Sequence, residues 1–267
     1  MSATIAAQMI GADFLKLRKK RGTVVWALVL ALAPLLIFFI VKALQHSSNP
    51  TAHSPAGGTS GFIDGLRVLA VFFGPLAAIM IGTDGGAGDL SAGVFRDLVV
   101  TGRSRLALFA SRVPAALAVC WLVITIAYIV VVIGTYALAS GASTPTAGLI
   151  VNGFLFTLFS TGVLCIVAVG FSSLVGSRAA ALTVLIGWQL VASRILENIE
   201  SLGSSRKLIL SQAVAHFSPV SLTDSGGHGP RGGATVTMST GVAVAVVLLW
   251  LVVFLALGAW RTRTMDA

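Results

Sequence analysis

Six apolar runs, each long enough to cross a lipid bilayer as a helix, divide this chain of 267 residues. Their predicted limits are 23–44, 64–83, 111–138, 148–174, 178–197 and 237–259. The runs are apolar on all faces, whereas the helices of a soluble protein carry an apolar stripe. Charged residues make up 10% of the chain, against about 25% in an average soluble domain. The sequence therefore predicts an all-α membrane protein with six transmembrane helices and no appended soluble domain.

The segment before the first span, residues 1–22, is predicted to form a helix on the cytoplasmic membrane surface. Ile5, Met9 and Leu17 recur near helical spacing. The segment ends in a basic cluster made of Lys16, Arg18, Lys19, Lys20 and Arg21. An apolar face in the headgroups and a basic end on anionic lipid are typical of an interfacial helix. A disordered basic arm is the alternative.

The distribution of Lys and Arg predicts the orientation, because cytoplasmic loops carry an excess of both. With the N-terminus inside, twelve of the 18 basic residues fall on the cytoplasmic side. We therefore expect a multi-pass protein of a bacterial cell membrane with both termini in the cytoplasm. The net charge of +9 is concentrated at the ends of the apolar runs. That placement indicates contact with anionic lipids and argues against a nucleic-acid partner.

A polar segment from 84 to 112 interrupts the apolar pattern between spans 2 and 3. It carries three Asp and four Arg residues. We expect it to lie in water, where it is the leading candidate for contact with a soluble partner. Ser91 is predicted to cap an amphipathic helix over 91–101, and Gly102 is predicted to follow its end. Arg103, Arg105 and Arg112 are then expected to hold this helix against the inner leaflet.

Several motifs occur in an order that points to a known family. G-V-F-R-D-L-V at 93–99 is followed by G-R-S-R at 102–105. A tight turn at 170–181, a helical segment before span 6 and a basic tail at 260–266 complete the pattern. The chain resembles the permease subunit of type-2 ABC transporters, the exporter class. Two positions depart from the family pattern, since Val94 replaces the usual Thr and Arg112 stands where Lys is common.

The resemblance implies that the helix over 91–101 is a coupling helix, which docks on a cytoplasmic ABC ATPase subunit. The residues that it nominates for docking are Val94, Phe95, Arg96, Asp97, Leu98, Arg103 and Arg105. A solvated, lipid-anchored loop without a partner is the alternative. The resemblance also implies a dimer with a second permease copy or a paralogue, in which spans 2 and 5 line the substrate path. The residues nominated for that path are Phe72, Phe73, Met80, Trp188 and Gln189.

ATP hydrolysis is expected on another polypeptide. The chain contains no G-x-x-x-x-G-K-[ST] motif, and the glycine-rich stretch Gly85–Asp89 lacks the Lys that reaches the phosphates. No span carries a paired carboxylate or a His/Asp/Glu cluster. We therefore expect no catalytic residue and no cofactor in this chain, with ATP and Mg²⁺ bound to the partner subunit.

Polar residues within and beside the spans receive separate predictions. Gln189 lies deep in an apolar run, so its amide is expected to face protein or a cavity rather than lipid. A plain helix–helix hydrogen bond is an equally good interpretation, and Asn152 is treated in the same way. Aromatic and Met side chains in spans most often serve packing. Four basic residues at span ends are expected to extend to the interface: Lys42, Arg67, Arg112 and Arg194.

The loop after span 5 is predicted to contain a helix that lies on or dips into the outer leaflet. Ile199, Leu202, Ile209 and Phe217 fall at helical spacing, and Pro219 ends the pattern. The four histidines all fall in outer loops, at His46, His53, His216 and His228. Their spacing matches no metal-ligand motif, so we expect no metal site.

The family resemblance implies that this chain is the membrane half of an ATP-driven exporter. The substrate path is apolar and aromatic, which favours a hydrophobic or amphipathic substrate such as a drug, a peptide or a lipid. Two other functions stay open. One is an ABC complex of the same fold that moves an ion or a metal, or that serves sensing or resistance. The other is a stand-alone channel or membrane anchor.

Overall fold

A computed structural model describes residues 3–93, 102, 104–220 and 237–264 of the chain. Within these residues the secondary structure is helical, without strands. Six helices are long and apolar enough to cross a membrane. They are Arg21–Ser48 (span 1), Gly58–Ser91 (span 2), Arg105–Ala137 (span 3), Ala147–Val175 (span 4), Arg178–Asn198 (span 5) and Thr240–Thr264 (span 6). The predicted all-α fold is confirmed, and so is the presence of six helices long and apolar enough to span a membrane.

Span 2 ends later, and span 3 begins earlier, than the sequence predicted. Span 2 continues to Ser91, whose hydroxyl donates to the Gly88 carbonyl at 3.1 Å. The predicted role of Ser91 as a helix N-cap is therefore wrong. Ser104 caps span 3 instead, because its side chain accepts a hydrogen bond from the Ala107 amide at 3.2 Å. Gly102 has a positive φ of 79°, which suits the predicted C′ position, although residues 94–101 lie outside the described part of the chain.

Span 2 forms the centre of the bundle. Of its apolar segment 67% is buried, against 22% for each of spans 1, 5 and 6. It packs closely on span 4 through Gly82 and Gly86, whose G-x-x-x-G spacing lets two helix backbones approach. A Cβ atom at Gly86 would collide with the Ser172 hydroxyl and the Val169 carbonyl. The glycines thus set the distance between the two helices.

Two spans contain a turn of π-helix, at Val68–Phe73 in span 2 and at Trp188–Ala192 in span 5. Pro75 follows the first of these segments and lacks the N–H that would continue the regular helical hydrogen-bond ladder. Such wide turns are frequent at functional sites in helical proteins. Both lie in the spans that the family resemblance nominates for the substrate path.

Three shorter elements complete the fold. The N-terminal helix, Ala3–Lys19, packs beside span 3. After span 5 the chain forms a 3-10 helix at Glu200–Leu208 and a short α-helix at Leu210–Ala215, which we call the loop helices. The helical segment that the sequence predicted for this region is interrupted at two positions. Gly203 has a positive φ of 47° and Ile209 is extended, so the backbone breaks at both positions.

Candidate functional site

A cluster of seven charged side chains lies where the N-terminal helix meets spans 2, 3 and 5. We call it the ionic cluster, and it consists of Asp13, Lys16, Lys20, Asp84, Asp89, Arg112 and Arg178. We call the end of the bundle that holds the ionic cluster the N-terminal end. Three carboxylates and four cations meet there, so the charges nearly balance.

Asp84 lies at the centre of the ionic cluster and is only 3% exposed. Its carboxylate accepts a hydrogen bond from Lys20 Nζ at 3.0 Å and another from the Thr23 hydroxyl. Arg178 Nε lies 3.7 Å from the same carboxylate and is a buried donor without a hydrogen-bond partner among the described residues. Asp84 therefore joins span 2 to the start of span 1 and to the start of span 5.

Asp89 makes the second junction, one and a half turns further along span 2. It accepts a hydrogen bond from Arg112 Nη2 at 3.2 Å and pairs with Lys16 of the N-terminal helix. Arg112 is 3% exposed and also donates through Nη1 to the Gly86 carbonyl at 3.2 Å. Asp89 therefore holds span 2, span 3 and the N-terminal helix together.

Asp13 of the N-terminal helix completes the ionic cluster. It accepts a hydrogen bond from the Ser111 hydroxyl at 2.6 Å. Burial raises the pKa of the Asp13 carboxyl above its usual value, and the neighbouring Asp89 acts in the same direction. The Ser111 hydrogen bond and the charges of Arg112 and Lys16 oppose this rise without cancelling it. Burial of the Asp13 carboxyl therefore favours its protonated form.

The ionic cluster overturns part of the sequence prediction for the segment 84–112. Asp84, Asp89 and Arg112 do not lie in water, and Arg112 does not reach the headgroups, because each is buried against opposite charges. Buried charges persist only when they are paired and hydrogen-bonded. A signal was present in the sequence: Lys16 and Lys20, one helical turn apart, match the similarly spaced Asp84 and Asp89.

A cavity of about 280 Å³ lies at the opposite end of the bundle, between spans 2, 4 and 5 and the loop helices. Its polar lining consists of Ser160, Gln189, Arg194, Glu197, Ser211, Gln212, His216 and Ser218. Glu197 is only 2% exposed and accepts hydrogen bonds from Arg194 Nη1, at 3.4 Å, and from the Ser211 hydroxyl. The guanidinium carbon of Arg194 lies 5.4 Å from the centre of the Phe72 ring, within cation–π distance.

The comparisons with known proteins identify a family. The family model described as a protein of unknown function, DUF2705, matches residues 27–267. The chain belongs to this family. The DUF2705 match contains the cavity and the contributions of spans 2, 3 and 5 to the ionic cluster, whereas Asp13, Lys16 and Lys20 precede it. No curated protein matches the chain.

The residues nominated for docking fall at the edge of what the structure describes. Val94, Phe95, Arg96, Asp97, Leu98 and Arg103 of this DUF2705 chain lie outside the described residues. Arg105 begins span 3, and its Nη1 donates to the Arg263 carbonyl at 3.4 Å. Arg105 therefore links the start of span 3 to the end of span 6, at the N-terminal end of the bundle.

The residues nominated for the substrate path separate into different environments. Phe72 and Phe73 lie in the π-helical turn of span 2, and Phe72 contacts Arg194. Gln189 lines the cavity. Trp188 instead packs towards span 6, with its ring centre 5.8 Å from that of Trp250. Met80 is half-buried further along span 2.

The remaining basic residues at span ends are held by carboxylates. Lys42 and Arg67 both pair with Asp64, at 3.2 Å and 3.1 Å. Arg194 pairs with Glu197. The prediction that these side chains simply extend to the interface is therefore incomplete, because it missed the two acidic partners.

The histidines of the described residues make local hydrogen bonds. His46 Nδ1 lies 2.7 Å from the His53 carbonyl, and His216 Nε2 lies 3.1 Å from the Thr240 hydroxyl. His228 lies outside the described residues. Within residues 3–93, 104–220 and 237–264, no group of three or more His, Cys, Asp or Glu side chains is placed to hold a metal ion.

Sequence reasoning missed Glu197, Ser211 and Gln212 as residues of the cavity. Glu197 and Gln212 lie on different elements, and no spacing in the sequence connects them. The only available signal was Glu197 itself, an acidic residue at the end of an apolar span, since such residues usually have a partner or a function.

Proposed function

We propose that this chain is the membrane-spanning permease subunit of an ATP-driven ABC exporter. A separate nucleotide-binding subunit, which carries ATP and Mg²⁺, docks on the loop between spans 2 and 3, at a coupling helix between Gly93 and Gly102. In this proposal two permeases form a dimer in a bacterial cell membrane. Both termini face the cytoplasm, the N-terminal helix rests on anionic lipid, and the loop helices face outwards.

The observation that supports this proposal is the position of the ionic cluster relative to that loop. The chain leaves span 2 at Ser91, directly after Asp89, and enters span 3 two helical turns before Arg112. Asp89 and Arg112 form a salt bridge with each other. Any displacement of the loop therefore acts on both sides of a buried ion pair.

The ionic cluster would carry such a displacement into the bundle. Asp89 is tied to the N-terminal helix through Lys16, and Asp84 contacts Lys20 and Arg178. Separating buried partners leaves an uncompensated charge, which is costly. The connected helices are therefore expected to move together when ATP binding closes the ATPase dimer, and this motion opens or squeezes the path between the two permeases.

The substrate is proposed to be hydrophobic or amphipathic. The cavity is lined by apolar side chains as well as polar ones, among them Val71, Phe156 and Leu164. The aromatic residues of the two π-helical turns, Phe72, Phe73 and Trp188, lie in spans 2 and 5, and they remain our candidates for the path.

A charge reversal in the loop tests this function. Arg96→Glu should leave the protein folded and should uncouple ATP hydrolysis from transport, because it reverses a charge on the proposed docking helix. The matched control is Arg261→Glu, which reverses the charge of an exposed arginine near the C-terminus of span 6. The measurements are ATP hydrolysis and transport by the complex in lipid vesicles. Wild-type coupling in Arg96→Glu would contradict the proposal, and so would activity in lipid without any ATPase.

A further inference from the structure

Two glutamine side chains that make no hydrogen bond to the described residues line the cavity at the end opposite the ionic cluster. Gln189 in span 5 and Gln212 in the loop helices are 8% and 7% exposed. Both side chains line the cavity. Neither amide hydrogen-bonds to another described residue, and neither is among the buried unpaired side-chain atoms, so both amides are accessible from the cavity. Two amides open to one cavity can both hydrogen-bond a ligand that enters it.

Opposite charges lie in the same cavity. Glu197 is buried, and Arg194 uses one of its five N–H groups on that carboxylate. The guanidinium and the carboxylate cancel in net charge, so the cavity does not favour an ion of either sign. A ligand that carries one positive and one negative group matches this pair on both sides.

An apolar groove adjoins the cavity. It has a volume of about 610 Å³ and lies between spans 4 and 6, with Phe156 lining both spaces. Apart from Asn152, its lining is apolar: Leu155, Phe156, Phe159, Phe217, Pro219, Val244, Val247, Leu248 and Leu251. Leu155 and Leu248 are more than half exposed, so the groove is open at the surface of the bundle.

The length and depth of the groove fit a hydrocarbon chain. On spans 4 and 6 it extends over residues 152–159 and 244–251, which is about 10 Å at the helical rise. Both stretches lie in the halves of their spans nearest the cavity. The groove therefore runs from the cavity into one leaflet, whose hydrocarbon layer is roughly 15 Å thick.

We infer that the cavity and groove together bind one zwitterionic phospholipid. The phosphate accepts hydrogen bonds from the amides of Gln189 and Gln212 and from Arg194, and the ammonium group faces Glu197. One acyl chain lies in the groove along spans 4 and 6. The site is built within a single chain, so it stands whether or not an ATPase docks at the other end.

The test uses the delipidated full-length chain in detergent, with phosphatidylethanolamine and phosphatidylglycerol as probes. Native mass spectrometry counts the bound lipid, and thermal unfolding reports the shift in Tm. We expect one phosphatidylethanolamine to bind in preference to phosphatidylglycerol, whose headgroup lacks the ammonium. In the double variant Gln189→Leu/Gln212→Leu its affinity should fall by about tenfold or more, as the loss of hydrogen bonds to a charged phosphate implies.

Stability without lipid separates a ligand site from a structural role. Because the two amides have no protein partner, Gln189→Leu/Gln212→Leu should keep or raise the Tm of the delipidated protein and lose only the lipid-induced shift. Gln45→Leu, which changes an exposed glutamine at the end of span 1, is the control and should bind lipid as the wild type does. A large fall in the lipid-free Tm would show a structural role and overturn the inference.

Filling the groove provides a second variant. Leu251→Trp should weaken binding of long-chain phosphatidylethanolamine while sparing a dihexanoyl form that carries the same headgroup. Equal binding of phosphatidylethanolamine and phosphatidylglycerol, unchanged in all variants, would overturn the inference, because it would show ordinary annular lipid only. Preference for an uncharged amphiphile such as dodecyl maltoside would likewise overturn it.

Discussion

Arg112 of span 3 donates a hydrogen bond to Asp89 of span 2 across 3.2 Å, and both side chains are almost completely buried. Asp89 lies just before the loop between the two spans begins, and Arg112 lies two helical turns after that loop ends. A charged contact in this position fixes the two helices that carry the loop, and it does so inside the protein rather than at the headgroups.

Removing one member of this pair should destabilise the fold strongly. Asp89→Asn leaves Arg112 buried without its carboxylate, which costs about 3–5 kcal/mol for a buried pair. Asp64→Asn is the matched control, because Asp64 also holds two cations but is 29% exposed, and surface pairs contribute about 0–1 kcal/mol. Thermal unfolding in detergent compares the variants. Equal losses of Tm in the two variants would contradict the buried pair.

The raised pKa of Asp13 predicts a pH dependence of stability. An acid whose pKa is higher in the folded state stabilises the fold when protonated, so its contribution is complete below the ordinary value of 3.8. That contribution is lost as the pH rises through the folded-state pKa. Asp13→Asn mimics the protonated carboxyl. Its Tm advantage over the wild type should therefore grow with rising pH, and a difference in Tm that is the same at every pH would exclude this role of Asp13.

Close packing of spans 2 and 4 predicts a sharp effect at Gly86. Gly86→Ala places a Cβ against the Ser172 hydroxyl and the Val169 carbonyl, and overpacking of this kind typically costs about 1–3 kcal/mol. Gly148→Ala is the control, since an added Cβ there meets no atom within 4 Å. We expect a fall in Tm for Gly86→Ala and no fall for Gly148→Ala. An unchanged Tm in Gly86→Ala would show that the two spans lie further apart.

The proposed orientation can be checked by labelling single cysteines in intact cells. Both native cysteines, Cys120 and Cys165, are buried, so they should not react with a membrane-impermeant maleimide. Thr51→Cys and Ser204→Cys should be labelled from outside, and Thr264→Cys should be labelled only after the membrane is permeabilised. The reverse pattern would place the ionic cluster outside and remove it from reach of a cytoplasmic ATPase.

The sequence allowed the six spans to be located because their apolar runs need no tertiary information. It did not reveal where span 2 ends and span 3 begins, since a local pattern places Asp84 and Arg112 in water. Their burial depends on partners far along the chain, Lys20 for the first and Asp89 for the second. A hydropathy pattern taken over neighbouring residues cannot predict a pairing with a residue far away in the sequence.

The cavity shows the same limit in another form. Gln189 was expected to face protein or a cavity, because an amide in an apolar run avoids lipid, and it lines the cavity. Glu197 and Gln212 escaped notice because only the fold of the loop helices brings them to Gln189. The break at Ile209, which the periodic pattern did not predict, separates the two loop helices and lies directly before the helix that carries Gln212.

Docking of an ATPase on the loop between spans 2 and 3 can be captured by cross-linking. Phe95→Cys is labelled with a photoactivatable cross-linker in native membranes, and the linked polypeptide is identified by mass spectrometry. Thr51→Cys, in the loop after span 1, is the control. We expect a product from Phe95→Cys alone, linked to a polypeptide that carries a G-x-x-x-x-G-K-[ST] motif. If folded Phe95→Cys protein were cross-linked only to polypeptides without this motif, docking on an ATPase would be contradicted.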